Sequence, residues 1–212
     1  EVNRGTCARK WARVLPRQQP FPPSEPAAGA DRRTGPRILF IDYQIPRPDE
    51  DSGSFRIVQV VTLLAQMGCR VAFLLPAGAP FDAYCRALGG VGVEVLEEEI
   101  ALAAVASAQF DLAVLSRVEI GERYVSTFKQ VVPTMPVVFD TVDLHFLREQ
   151  REAELRADGA LARLACVTRE QELAVARAAD LTLTVTEADR AHLLALAPAH
   201  QVAVLPHIHP VL

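Results

Sequence analysis

The sequence contains no apolar run of the roughly 18–20 residues that a membrane-spanning helix needs. It has no excess of positive charge either. With 22 Lys and Arg against 26 Asp and Glu the formal net charge is −4, and the basic footprint of a nucleic-acid-binding protein is missing. The first residue is Glu1, and no charged-then-apolar signal segment follows it, which reads as part of a longer chain. The four cysteines, Cys7, Cys69, Cys85 and Cys166, form no close pair. Cys69 and Cys166 lie in apolar segments, so reduced thiols and a cytoplasmic setting are expected. The spaced glycines of a dinucleotide fingerprint and a Gly-Lys-Ser/Thr phosphate loop are also absent, which disfavours NAD or ATP binding by those devices. There is no internal repeat.

The 212 residues that are present are half apolar and 23% charged, ordinary globular composition with enough chain to bury a core. Residues 1–36 stand apart. Prolines at 16, 20, 22, 23, 26 and 36, with Gly29 and Gly35, remove donors and block helix and ladder alike, so a disordered leader or linker is expected. The segment around Trp11 carries only a weak helical signal.

From Arg37 onward seven short β-rich runs appear: 38–42, 71–76, 93–97, 112–116, 137–141, 181–186 and 202–206. Several are almost continuously apolar, as in strands covered on both faces of a parallel sheet. Helical periodicity fills most of the gaps, the signature of βαβ units. The expected fold is therefore α/β: a Rossmann-like, doubly wound, mainly parallel seven-stranded sheet with helices on both faces. In the first helix, over 54–67, Arg56, Gln59, Thr62 and Gln66 are spaced as one narrow polar stripe, which predicts an otherwise buried cylinder. Gly68 suits a left-handed C′ position. Two segments, from Thr168 and from Thr186, resemble helix starts, and 143–180 should be mostly helical, with room for two helices.

Open α/β sheets bind ligands beyond the carboxyl ends of their strands, near a topological switch point. Three such segments are unusually polar. The loop 42–54 enters the first helix through Ser52, Gly53 and Ser54, where free N–H groups and Arg56 suit an anionic or polyhydroxyl ligand. The plain alternative is an N-cap with a solvated acidic loop. The second segment, 140–149, gathers Asp140, Asp143, His145, Arg148 and Glu149. His145 beside a carboxylate can act as a general base or anchor a sugar hydroxyl. Equally, the two aspartates can cap the next helix and Arg148 can pair with Glu152. Metal ligation by Asp140, Asp143 and His145 is a minor reading, and no metal site is expected. In the third segment Arg117 can orient a polar ligand or pair with Glu119. His207 and His209 read as part of a stiff exit linker.

The run ILFID at 38–42 with PDEDSGSFR at 48–56 resembles the start of GT-B-fold glycosyltransferases of the family 4 type. More distinctively, FDTVDLHFLREQRE at 139–152 is similar to a segment of bacterial members that build surface polysaccharides. RAADLTLTVTE at 177–187 and VAVLPH at 202–207 resemble later segments of the same family. The resemblance covers about residues 37–210. It implies that residues 37–212 form the amino-terminal, acceptor-binding half of an enzyme with two Rossmann-like halves. Such an enzyme moves a sugar from a nucleotide sugar to a glycan or lipid-linked acceptor across the cleft between the halves. The donor-binding half would be missing, and this chain inactive alone.

By position, Gly53 and Ser54 would face the cleft. His145 would lie near the transferred sugar, with Asp143 and Arg148 flanking it. His145 and Asp143 are the expected catalytic residues. Ser52, Gly53, Ser54, Arg56, Arg117, Asp140, Arg148 and Glu149 are the expected substrate contacts. No cofactor besides the nucleotide-sugar donor is implied. The resemblance allows peripheral contact with the inner face of the membrane, although no basic amphipathic stretch argues for it. Two readings from other classes stand beside it. One is a non-catalytic Rossmann-like binding module of a larger protein. The other is a receiver-like domain, suggested by Asp42 at a strand end but poorly matched by seven strands where a receiver has about five.

Overall fold

The computed structural model describes residues 2–13 and 35–208. Most of the expected proline-rich leader, and His209, lie outside the described residues. Ahead of them Val2–Lys10 forms a helix, α1, where the sequence signal was weak. Its described side chains are all exposed.

All seven apolar runs become strands: β1 (Arg37–Ile41), β2 (Arg70–Leu75), β3 (Glu94–Glu97), β4 (Leu112–Ser116), β5 (Val137–Asp140), β6 (Leu181–Thr184) and β7 (Val202–Val204). Every pairing is parallel, and the order is β3-β2-β1-β4-β5-β6-β7. The chain runs outward from β1 to β3, then returns to build the other side from β4. The switch point therefore falls between the carboxyl ends of β1 and β4.

Seven further helices connect the strands: α2 (Ser52–Gln66), α3 (Ala83–Gly90), α4 (Glu98–Ala106), α5 (Val118–Val131), α6 (His145–Arg156), α7 (Gly159–Ala178) and α8 (Glu187–Leu196). The period of two along β1 shows why both faces are covered. Ile38 and Phe40 pack with Ile57, Val61, Cys85 and Leu88 of α2 and α3. Leu39 and Ile41 point the other way, into a core with Ala101, Val105, Val125 and Phe128 of α4 and α5. Beyond β5, Phe139 packs with Val118, Leu173, Ala176 and Leu193 of α5, α7 and α8. The four cysteines are unpaired, with Cys69 and Cys85 buried and Cys7 and Cys166 exposed. Among the described residues no helix is long and apolar enough to cross a membrane.

Two local expectations need correction, and two hold. The polar stripe of α2 does not simply face solvent. Arg56 is fully buried, while Leu63 and Met67 at the far end are exposed. The reason is tertiary: the amino-terminal half of α2 sits under the strand ends, where a buried carboxylate awaits Arg56. The Thr168 segment starts no helix, since it lies within α7, whose N-cap is Asp158. Thr186, by contrast, does cap α8, accepting from Asp189 N–H at 3.0 Å. Gly68 adopts φ +89° after α2, a conformation costly for residues with a Cβ.

Candidate functional site

At the switch point β1 is followed by Asp42 and β4 by Arg117. Arg117 Nε donates to Asp42 Oδ1 at 3.1 Å, so these residues bridge the strands where the order reverses. The guanidinium lies 4.8 Å from the Tyr43 ring centroid, a cation–π arrangement. Arg117 Nη2 comes within 3.5 Å of Asp51 Oδ1 but is buried with no hydrogen-bond partner among the described residues. The Arg117 backbone has φ 73° and ψ 156°, a region nearly restricted to glycine and costing about 1–3 kcal/mol. It is held there in part by its N–H, which donates to Asp140 O at 2.9 Å. Burial pushes the Asp42 carboxyl up to about 6 against the pull of Arg117. The Arg117–Glu119 pair, one of the two readings of the sequence, does not form; Asp42, remote in sequence, takes its place.

The loop entering α2 is capped by Asp51. Its Oδ1 accepts from Ser54 N–H at 2.8 Å and its Oδ2 from the Ser54 hydroxyl at 2.6 Å. An intrachain carboxylate thus occupies the place expected for a ligand anion, which corrects the reading of free N–H groups at Ser54. Gly53 is needed for a different reason. A Cβ there would lie 2.7 Å from Val142 Cγ1 and 3.0 Å from Arg117 Nη2. Val142 itself has φ 62°, unusual for a β-branched residue. Ser52 is exposed, beside a surface pocket of about 430 Å³ lined by residues 48–52, Phe55 and His207.

Arg56 and Asp140 lie beneath the rim. Arg56 Nη1 donates to Asp140 Oδ2 at 2.6 Å, and Nε and Nη2 donate to Leu205 O at 3.1 and 3.0 Å. Both side chains are almost wholly buried. Their geometry joins α2, the end of β5 and the segment after β7.

The 140–149 segment turns at Val142 and begins α6 at His145. Asp143 stands between two partners: its Oδ1 is 3.2 Å from His145 Nε2, and its Oδ2 accepts from Arg148 Nη1 at 2.7 Å. The alternative reading, an Arg148–Glu152 pair with α6 capped by Asp140 or Asp143, is not what forms. The N-cap position of α6 is Leu144, whose side chain has no acceptor. Glu172, from the middle of α7, supplies the cap instead. Its Oε1 accepts from His145 N–H and its Oε2 from Phe146 N–H, both at 3.1 Å. Burial raises the Glu172 carboxyl to about 7, although those two N–H groups oppose the shift. Burial lowers the pKa of His145, against the attraction of Asp143. Glu149 has one buried carboxyl oxygen without a hydrogen-bond partner among the described residues.

Tyr43, Arg117, Glu119, His145 and Arg148 line a pocket of about 310 Å³. It brings together three residues expected from the sequence, Arg117, His145 and Arg148, with two that were not, Tyr43 and Glu119. Neither Arg56 nor Asp140 lines it. The array offers a small polar ligand an aromatic ring, two guanidinium groups, an imidazole edge and one carboxylate. Among the described residues no group of three His, Cys, Asp or Glu side chains is arranged to hold a metal ion.

Sequence reasoning missed Glu172. A signal was available. Ala165, Thr168, Glu172, Val175 and Ala176 recur at helical spacing on the buried face of α7, and a carboxylate on such a stripe demands a partner.

No family model and no curated protein matches the sequence. Solved structures do resemble the fold. LpCGTa in complex with UDP is 16% identical, with 84% of this chain and 53% of that one covered and a TM-score of 0.50. Sucrose-phosphate synthase from Thermosynechococcus elongatus is 15% identical, with 81% and 48% covered and a TM-score of 0.55. A Glycyrrhiza uralensis UGT complexed with glycyrrhetinic acid 3-O-monoglucuronide is 9% identical, with 81% and 48% covered and a TM-score of 0.54. These neighbours are GT-B glycosyltransferases. At such low identities the likeness concerns the fold, and the chain spans about half the length of each. The described domain has the Rossmann-like α/β architecture that it shares with GT-B glycosyltransferases.

Proposed function

We propose that this chain is the amino-terminal, acceptor-side half of a family 4 type glycosyltransferase. Its reaction would move a sugar from a nucleotide sugar to a glycan or lipid-linked acceptor, in the synthesis of bacterial surface polysaccharide. The observation that carries this reading is the pocket at the switch point, where Tyr43, Arg117, His145 and Arg148 meet beyond the strand ends.

Sugar transfer forms a bond between an acceptor oxygen and the anomeric carbon and breaks the bond from that carbon to the nucleotide's phosphate. The acceptor loses one proton. In this reading the Tyr43 ring, backed by Arg117, packs against a sugar face, and Arg148 donates to hydroxyls. His145 and Asp143 receive the hydrogen bond of a reacting or neighbouring hydroxyl. A lowered His145 pKa favours the neutral ring near pH 7, the form that can accept a proton. The nucleotide sugar is held chiefly by the second half of the enzyme.

Two measurements test this. On a saccharide array that includes lipid-linked acceptors, the chain should bind a subset of glycans, and His145→Ala and Arg117→Ala should each abolish that signal. Calorimetric titration with nucleotide sugars should give only weak binding. A tight, saturable nucleotide-sugar isotherm, or wild-type glycan binding by both variants, would overturn the acceptor-side assignment.

A further inference from the structure

Glu172 is the unexplained expense of this fold. It is fully buried, and no Lys or Arg forms an ion pair with it among the described residues. Burying a carboxylate costs several kcal/mol unless its lone pairs are satisfied. Capping α6 needs no such group, because a local Ser, Thr, Asn or Asp at position 144 would do it. Asp143, the nearest local acceptor, is turned instead toward His145 Nε2 and Arg148.

The rest of the geometry concerns the imidazole. His145 Nδ1 is buried and has no hydrogen-bond partner among the described residues. The group that faces it is Glu172 Oε1, 3.9 Å away. A movement of roughly 1 Å brings the two into hydrogen-bond range. The same oxygen already accepts from the backbone N–H of His145, so carboxylate, helix start and ring form one unit.

We propose that Glu172 is a positioning residue for His145: it fixes the first turn of α6 through two backbone N–H groups and presents its carboxylate to ring Nδ1, so that Nε2 is offered to the pocket. A neutral imidazole carries one N–H. With Glu172 ionised, that proton sits on Nδ1, toward the carboxylate, and Nε2 keeps a lone pair that accepts from a hydroxyl. With Glu172 protonated, its O–H donates to Nδ1, and the ring proton moves to Nε2, which then presents an N–H to the pocket beside Asp143. Glu172 thereby decides whether the pocket meets an acceptor or a donor. Its carboxyl, raised to about 7 by burial, changes state near neutral pH. The other charged groups acting on this unit are Asp143, Arg148, Glu119 and Arg117 around His145, and Asp143 and Glu149 around Glu172. The consequence for sugar transfer rests on the role of His145 proposed above, but the ring state does not.

The test is ¹⁵N NMR of the full 212-residue chain labelled at histidine, with His145→Gln used to assign the His145 resonances. The wild type should show the Nδ1–H tautomer above the Glu172 transition. Glu172→Gln should shift the ring several-fold toward Nε2–H and lower the His145 midpoint, because an anion has been removed. A cap with no influence on the ring would change stability alone. Unchanged tautomer and midpoint in folded Glu172→Gln overturn the proposal. Should that variant not fold, a wild-type pH series decides. The His145 nitrogen shifts must then show a second inflection that follows the Glu172 side-chain carboxyl carbon, and a single inflection overturns the idea. If the ring responds as described while His145→Ala leaves glycan binding intact, the proposed function fails and this inference stands.

Discussion

Arg56–Asp140 and Arg117–Asp42 are the same kind of ion pair at the same end of the same sheet, yet their surroundings differ in every respect that matters for binding. Arg56 directs Nη1 to Asp140 and both remaining donor nitrogens to the Leu205 carbonyl, and its side chain is 0% exposed. Arg117 leaves Nη2 without a hydrogen bond, stacks on Tyr43, lines a pocket, and holds a backbone conformation suited to glycine. The first pair is closed and fixes three segments in place. The second is incompletely satisfied and strained, and such residues gather where a protein meets a ligand. A charged residue near a strand end is therefore a site candidate only when donors or acceptors are left over after the fold has used its share.

Substitution should separate the two pairs, and the largest effect is expected at the closed one. Arg56→Met leaves Asp140 buried without its cation and should cost about 3–5 kcal/mol, read as a fall in the urea midpoint. A loss below about 1 kcal/mol would remove the distinction between the pairs. Acidity comes next. The carboxyls of Asp42 and Glu172, raised to about 6 and about 7, bind protons more tightly in the folded chain than in the unfolded one. Stability should therefore rise, by on the order of 4 kcal/mol from these two groups, as pH falls from about 8 to about 5. His145, with its pKa lowered, opposes this only below its ordinary value near 6.5. Urea unfolding at several pH values measures the slope, and Glu172→Gln should flatten its upper part.

Gly53→Ala probes the contact between the pairs. The new Cβ meets Val142 and Arg117, and about 1–3 kcal/mol of overpacking is expected in thermal unfolding, together with weaker glycan binding. The smallest stability change belongs to Arg117→Gly. Asp42 loses its cation, but its carboxyl, raised to about 6, is mostly protonated at pH 5, and relief of the positive φ offsets the rest, so at that pH the unfolding free energy should move by less than about 1 kcal/mol while glycan binding disappears. A large destabilisation here would make Arg117 a second scaffold residue.

The strands were legible because their signal is local. Near-continuous apolar runs such as ILFI at 38–41 and VVF at 137–139 suit only a chain covered on both faces, and all seven runs pair in parallel. Gly68 and Thr186 were legible for the same reason, since a left-handed turn and an N-cap are settled within a few residues. The partners at the site were not legible. Arg117 and Asp42 are separated by 75 positions and Arg56 and Asp140 by 84, and in sequence the nearer Glu119 and Glu152 are equally plausible partners for Arg117 and Arg148. The cap of α6 was sought in Asp140 and Asp143 and comes from Glu172, 26 and 27 residues beyond the N–H groups that it accepts from.

By itself the sequence determined the seven apolar runs, the helical segments between them and the polar loops that follow β1, β4 and β5, because hydrophobic periodicity and turn chemistry act over short distances. Tertiary structure decided the rest. The strand order put the switch point between β1 and β4 and so brought Asp42 to Arg117. Packing α7 against α6 carried Glu172 beneath His145, and the position of α2 under the strand ends turned Arg56 inward. Each of these joins depends on which surfaces are removed from water together, and that is fixed only when the layers close.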